Sequence, residues 1–392
     1  MNYKIPFSGR AHKYTQEEKE VILDAIENAV PLTQGKYQNE FQDKFSSYIG
    51  SEYCFAVNNA TAALDMSAQL CQFKDGDEFI CPSHTFTASA YPFIKKGAKP
   101  VWADIEKNTR VVSLNTIKKC ITPNTKAVVV VHLYGFIIPD ILDIAKYCIE
   151  NNILLIEDVA QAMGTKINDK MAGTYGDFGV FSFHSHKNMT TLGEGGMLIV
   201  KDKQYADIIP MLRHNGHCGW DIERPNYWTP AMGNVDLPKL NDEYLMPNNY
   251  CLGEVECALG AKLLDRLDEI NSQKRVRAIK FIEEFSDSNI LSFHKVDTVE
   301  HNYHLLVAYV NNDKRDSFMQ KISEDKQIQC VVQYYPLNRY DMYKKLGFGE
   351  ADCPNADSLF DNMVSFPFHH MMSDEDFDYM LKSTKEVLEE LI

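Results

Sequence analysis

From Tyr53 to Val200 the chain alternates short apolar runs with longer stretches whose apolar residues recur at helical spacing. The runs YCFAV (53–57), EFIC (78–81), KPVWAD (99–104), AVVVVHL (127–133), ILLIED (153–158), FGVFSF (178–183) and GMLIV (196–200) predict seven strands. AVVVVHL is apolar almost throughout, as befits a strand covered on both faces. Between the runs, Ile141, Ile144, Ala145, Cys148 and Ile149 share one helical face. Ala60, Ala63, Leu64, Ala68 and Cys71 do the same behind Asn59, a good N-cap. This alternation predicts an α/β fold with a mostly parallel seven-stranded sheet between helices.

From Gly216 to Asn248 the pattern dissolves into a polar, proline-containing loop, of a length usually kept for function. A helix over 253–285 is expected next, then a smaller C-terminal α+β domain with strands at 303–310 and 330–337. The last helix opens on Ser373 and Asp376, close to a capping box, with Phe377, Met380, Leu381, Val387, Leu388 and Ile392 on one face. The expected division is a large domain over 1–252, including an N-terminal helical segment, and a linking helix with the small domain over 253–392.

Composition narrows the function classes. Apolar content of 45% with 24% charged residues is that of an ordinary globular protein. A net charge of −15 argues against a general nucleic-acid binder, yet leaves small anions open, since a few cations and backbone N–H groups suffice to hold them. No run approaches about 18 apolar residues, so no membrane span is expected. The first residues lack the apolar core of a signal peptide, and ten irregularly placed cysteines include no C-x-x-C pair. Together these predict a cytoplasmic protein with reduced thiols.

Ligands of open parallel sheets bind beyond the carboxyl ends of the strands. Lys187 follows the strand FSF and precedes the glycine-rich GEGG. It is either an ordinary loop lysine or the amine that holds an aldehyde cofactor covalently and moves protons when released. Asp158 ends an apolar strand, either as a helix cap or as a carboxylate keeping a heteroaromatic nitrogen protonated. Gln161 is a solvated helix residue or a contact to a neighbouring ring oxygen. The N–H groups of Ala60, Thr61 and Ala62 open a capped helix, and with the Thr61 hydroxyl they could cradle an anion. Ser182 is a strand-end serine or a phosphate donor, and Phe86 is core or a stacking platform for a planar ring. His184 with His186, the stretch HNGH (214–217), and His369 with His370 lack the carboxylate or thiol that would complete a metal site, so no metal is expected.

Taken together, TQGKYQNEFQDKFSSYIG (33–50), NNATAAL (58–64), PSHTFTASA (82–90), GAKPVWADI (97–105), VVVVHLYG (128–135), LLIEDVAQAMG (154–164), GDFGVFSFHSHKNMTTLGEGGM (176–197) and NNYCLGEVECALGAKLLDRLDEI (248–270) resemble the DegT/StrS-type sugar aminotransferases. These are pyridoxal 5′-phosphate (PLP) enzymes of the aspartate aminotransferase-like fold. The resemblance implies that Lys187 binds PLP as an imine, that Asp158 pairs with the pyridinium nitrogen and that Gln161 approaches the phenolic oxygen. It places Phe86 on the ring, and Thr61, Ser182 and the amides of Ala60 and Ala62 on the phosphate. Asn249 would reach the phosphate of a neighbouring subunit's cofactor, which implies a homodimer. The implied reaction moves an amino group from L-glutamate, through pyridoxamine 5′-phosphate, to a keto-sugar nucleotide used for surface polysaccharide or modified sugars. Candidate substrate contacts are His217, Trp220, Arg224, Trp228, Tyr335 and Arg339, each otherwise a solvated loop residue.

Two departures put the acceptor in doubt. Where the family often has N-Y-R-M, this chain has Asn249, Tyr250, Cys251 and Leu252; where it has H-Y-x-P-L-H, this chain runs from Gln333 to Asn338. A small phosphorylated ketone such as dihydroxyacetone phosphate is therefore a second acceptor class. One branch of the family carries histidine at the lysine position and dehydrates sugars, and the presence of Lys187 favours amino transfer. A PLP-binding regulator without turnover is the remaining alternative. A nicotinamide oxidoreductase is disfavoured, because no G-x-G-x-x-G follows the first strand.

Overall fold

The computed structural model describes residues 3–7, 11–219, 232–294, 301–311 and 313–392. Its main sheet holds the seven expected strands: β1 (Tyr53–Val57), β2 (Glu78–Pro82), β3 (Lys99–Ala103), β4 (Thr125–Val131), β5 (Leu154–Asp158), β6 (Phe178–Ser182) and β7 (Gly196–Val200). They lie in the order β1-β7-β6-β5-β4-β2-β3. All pairs from β3 to β6 are parallel, and β7 alone runs against its neighbours β6 and β1. Val128, Val129 and Val130 are buried on both faces of β4, which explains their unbroken apolar run.

Register then places the polar strand ends side by side. Val57 and Ser182 both pair with Gly196, and Asp158 lies between Val131 and Val180. The carboxyl ends of β1, β5 and β6 therefore meet on one edge. Gly196 is required there, because a Cβ on it would lie 2.7 Å from the Asn59 carbonyl carbon and 2.8 Å from the Ala60 nitrogen. The helix Ala60–Leu70 packs on β6 and β7 through Ala62, Ala63, Leu64 and Met66.

A second core gathers around a three-stranded antiparallel sheet: β8 (Leu291–Ser292), β9 (Leu306–Val310) and β10 (Met363–Phe366). The helices Leu267–Glu284, Arg315–Glu324 and Asp374–Leu391 cover it with Ala278 and Phe281, Phe318 and Ile322, and Phe377, Met380 and Val387. Ser373 caps the last helix through the Asp376 N–H, 3.0 Å away.

Two expectations change. The strand over 330–337 reduces to one bridge, Val331 to Ser365, because Leu337 N–H instead donates to the Ser83 carbonyl at 2.7 Å and draws the segment toward the main sheet. Its place in the small sheet goes to the four-residue β10, too short to stand out as a run. The helix expected over 253–285 is two helices, Glu254–Leu263 and Leu267–Glu284, joined by a 3₁₀ turn at Leu264–Arg266. Among the described residues no helix is long and apolar enough to cross a membrane.

Candidate functional site

A cavity of about 770 Å³ opens at the carboxyl edge of β1, β5 and β6. Its wall includes Asn59 to Ala62, Phe86, Asp158, Gln161, Ser182 and Lys187, so the structure gathers the sequence-predicted residues of the central sheet into one space.

The helix start supplies the anion end. Asn59 caps it by accepting the Ala62 N–H at 2.8 Å. That removes Ala62 from the expected set of free donors: an N-cap side chain and an anion compete for the same hydrogen. Among the described residues the N–H groups of Ala60 and Thr61 meet no protein acceptor, and the Ser182 hydroxyl stands across from them beside Gly196. Two free donors at the positive end of a helix dipole suit a phosphate.

Asp158 is 5% exposed. One carboxylate oxygen accepts from the Ser89 hydroxyl at 2.7 Å, the other from the Ala160 N–H at 3.0 Å. Asp158 is thus a cavity carboxylate that also closes the turn after β5; among the described residues no helix directly follows that strand, so the helix-cap reading does not hold. Ser89, itself 3.2 Å from the Thr85 hydroxyl, orients it and was not singled out in the sequence. Its signal was its place in PSHTFTASA, one turn after Phe86.

Lys187 rides on a loop folded back on itself by Phe183 N–H to Gly195, Ser185 N–H to Gly193 and Thr191 N–H to Phe183 bonds of 2.8 to 3.1 Å. His12 Nε2 bonds the Lys187 carbonyl at 2.8 Å. Burial pulls the ammonium of Lys187 down to about 8, and the charge of Asp158 opposes this. The amine is therefore neutral far more often than a surface lysine.

Phe86 is 54% exposed, and its ring meets that of Tyr334 edge-on at 6.0 Å. An exposed aromatic face on a cavity wall is a platform for a planar ligand. Gln161 accepts the Tyr134 N–H at 2.7 Å and donates to the Tyr334 hydroxyl at 2.8 Å. An amide nitrogen carries two hydrogens, so one remains for a ligand.

The substrate candidates fare differently. Tyr335 does not line the cavity; its ring packs on Tyr340 and Phe360 at 5.0 and 5.1 Å, and its neighbour Tyr334 lines the wall instead. Arg339 is committed to Asp357 and Asp361 at 2.7 and 3.1 Å and is not free for substrate. His217 lies beside His214, with ring centroids 4.8 Å apart and the planes tilted by 57°, outside this cavity. Trp220, Arg224 and Trp228 lie outside the described residues. Asn249 is exposed, bridged to His214, and does not line this chain's cavity. The cavity also takes in Gln333, the first residue of the changed segment, and His304, Phe368 and the pair Asp65–Lys95 (3.0 Å), which the sequence had not singled out for a substrate. Among the described residues no three histidines, cysteines or carboxylates converge as metal ligands.

An amine with a depressed proton affinity, a fixed carboxylate, an aromatic platform and a free helix N-terminus together fit a planar heteroaromatic aldehyde with a phosphate tail. Comparison with known proteins gives the same direction. The model of the DegT/DnrJ/EryC1/StrS aminotransferase family matches residues 13–385. The spore coat polysaccharide biosynthesis protein SpsC of Bacillus subtilis is 29% identical, over 98% of this chain and 96% of that protein. The GDP-perosamine synthase of Vibrio cholerae is 30% identical, over 84% and 85%. Among solved structures, the Streptococcus pneumoniae protein Spr1654 in its PLP form superposes with a TM-score of 0.85 at 27% identity, covering 100% of both chains.

Proposed function

The chain belongs to this family of PLP-dependent aminotransferases, and from that premise we propose that it transfers the amino group of L-glutamate to the ketone of a sugar nucleotide, as a cytoplasmic homodimer. The carrying observation is that Lys187, with its lowered proton affinity, shares one strand edge with Asp158 and the free N–H groups of Ala60 and Thr61. PLP supplies, when bound, an electron sink for the carbanion left at the donor's α-carbon and a carrier for the amino group, as pyridoxamine phosphate.

The chain's own residues orient and move protons. Ala60 N–H, Thr61 N–H and hydroxyl, and the Ser182 hydroxyl would hold the phosphate. Phe86 would cover the ring, and the spare Gln161 N–H would be left for its phenolic oxygen. Asp158, kept in place by Ser89 and Ala160, would keep the ring nitrogen protonated. Lys187 would hold the cofactor through Nζ and, when free, serve as the base for the proton on the α-carbon of glutamate. The exposed Asn249 serves the phosphate site of the partner subunit.

A sugar nucleotide is the favoured acceptor because relatives matched along most of their length are a GDP-perosamine synthase and a spore coat polysaccharide protein. The changed segment from Gln333 to Asn338, whose Gln333 and Tyr334 line the cavity, keeps a small keto phosphate as the second reading. One experiment separates them. Purified protein with PLP should show a visible band that L-glutamate bleaches. Keto-sugar nucleotides, tested against keto phosphates, should restore it. A band that glutamate leaves untouched would refute the glutamate-driven transaminase.

A further inference from the structure

A second lysine lies behind the first. Lys274, on the helix Leu267–Glu284, is 4% exposed. Its Nζ donates to Asn188 Oδ1 at 2.8 Å and to the His304 carbonyl at 2.9 Å, and it sits 5.3 Å from the centre of the Phe368 ring. Among the described residues it has no carboxylate partner, and the charge it feels is that of Lys187. Burying an ammonium against neutral acceptors is costly, and methionine would fill the same volume without that cost. The cost has a visible return, because the acceptor is the residue next to Lys187.

Asn188 is fully used. Its Nδ2 donates to Asn271 Oδ1 at 2.8 Å and approaches the Asn302 carbonyl at 3.4 Å. Asn271 and Asn302 in turn both donate to the Met163 carbonyl, at 3.0 and 2.9 Å. Met163 follows Asp158 and Gln161 on the loop after β5. The network therefore bolts the loop that carries Lys187 to the loop that follows Asp158, and Lys274 closes it from the small-sheet side. We propose that Lys274 is a positioning residue for Lys187: by fastening Asn188 to the His304 carbonyl it fixes the backbone from which the reactive side chain departs. Burial and the neighbouring Lys187 pull Lys274 itself down to about 7, and a neutral amine still has two hydrogens for its two acceptors. The clamp thus survives loss of the proton.

This role rests on the aminotransferase reading, and its test runs on cofactor capture, in which Lys187 Nζ forms a C=N bond with the aldehyde carbon and water leaves. In cofactor-free protein, Lys274→Met should slow capture of PLP at least about tenfold. Affinity for pyridoxamine phosphate, which needs no covalent bond to Lys187, should stay within about twofold. Lys274→Arg, which restores both donors, should recover most of the rate. Asn188→Ala should reproduce the loss, and the double variant should be no slower than either single one, because the two residues act through one link. Should Lys274→Met fail to fold, the Asn188→Ala and Lys274→Arg arms decide. Capture at the wild-type rate in Lys274→Met or Asn188→Ala, or additive losses in the double variant, would overturn the proposal. A wild-type protein that captured no PLP would instead bring down the aminotransferase reading, and this role with it.

Discussion

Two walls of the cavity are held by different kinds of structure. On the strand-edge wall, Asn59, Asp158, Ser182 and Gly196 stand at the ends of neighbouring strands, and their spacing follows from one hydrogen-bonded ladder. On the wall toward the small sheet, His304, Gln333, Tyr334 and Phe368 come from separate segments with no common ladder, although Tyr334 reaches across to Phe86 and Gln161. A ladder moves as a unit, so a change in one strand disturbs the strand-end groups together. Segments held by individual hydrogen bonds can be exchanged one at a time. Function varied on loops over a rigid scaffold is the general result. It fits the changed segment from Gln333 to Asn338, whose Gln333 and Tyr334 lie on that wall, whereas Cys251 sits against the Arg213 carbonyl and does not line the cavity.

That contrast can be broken by experiment. Lys187→Ala should abolish covalent capture of PLP and reduce turnover by roughly a thousandfold or more, measured by borohydride reduction with peptide mapping and by a coupled 2-oxoglutarate assay. Appreciable residual transamination would remove Lys187 from its role. Asp158→Asn keeps the shape and removes the charge, so kcat should fall by about 100- to 1,000-fold with cofactor still bound. In cofactor-free protein the capture rate should rise with pH through about 8. The sign follows from burial, which favours the neutral, nucleophilic amine and moves its appearance down from the ordinary lysine range. A midpoint near the usual value would mean that Lys187 is hydrated rather than enclosed.

On the wall toward the small sheet the expected effects are smaller and local. Tyr334→Phe deprives Gln161 of its 2.8 Å acceptor and should cost about 1–2 kcal/mol, roughly tenfold in acceptor KM or kcat, whereas Tyr335→Phe should change neither. Equal effects of the two would show that the wall is wrongly drawn. Arg339→Ala should leave kinetics unchanged and lower stability by no more than about 1 kcal/mol, because its ion pairs are partly exposed. A large rise in acceptor KM would return Arg339 to the substrate site.

Periodicity along the chain determined the strands, the order of elements and, through them, the cofactor end. Each of those residues sits at a fixed offset from the end of an apolar run, and the run is visible without neighbours. Tertiary structure decided the rest by settling competition between partners. Ala62 N–H had two suitors, and Asn59 took it. Arg339 is a free cation until Asp357 and Asp361 are brought to it by another helix. Of two adjacent tyrosines, the one facing the cavity could not be named, because 330–337 forms no continuous strand whose alternation would assign the faces. Lys274, far from Lys187 in the sequence, has no signature there at all. Its meaning comes from Asn188 and His304, which only the folded chain sets beside it.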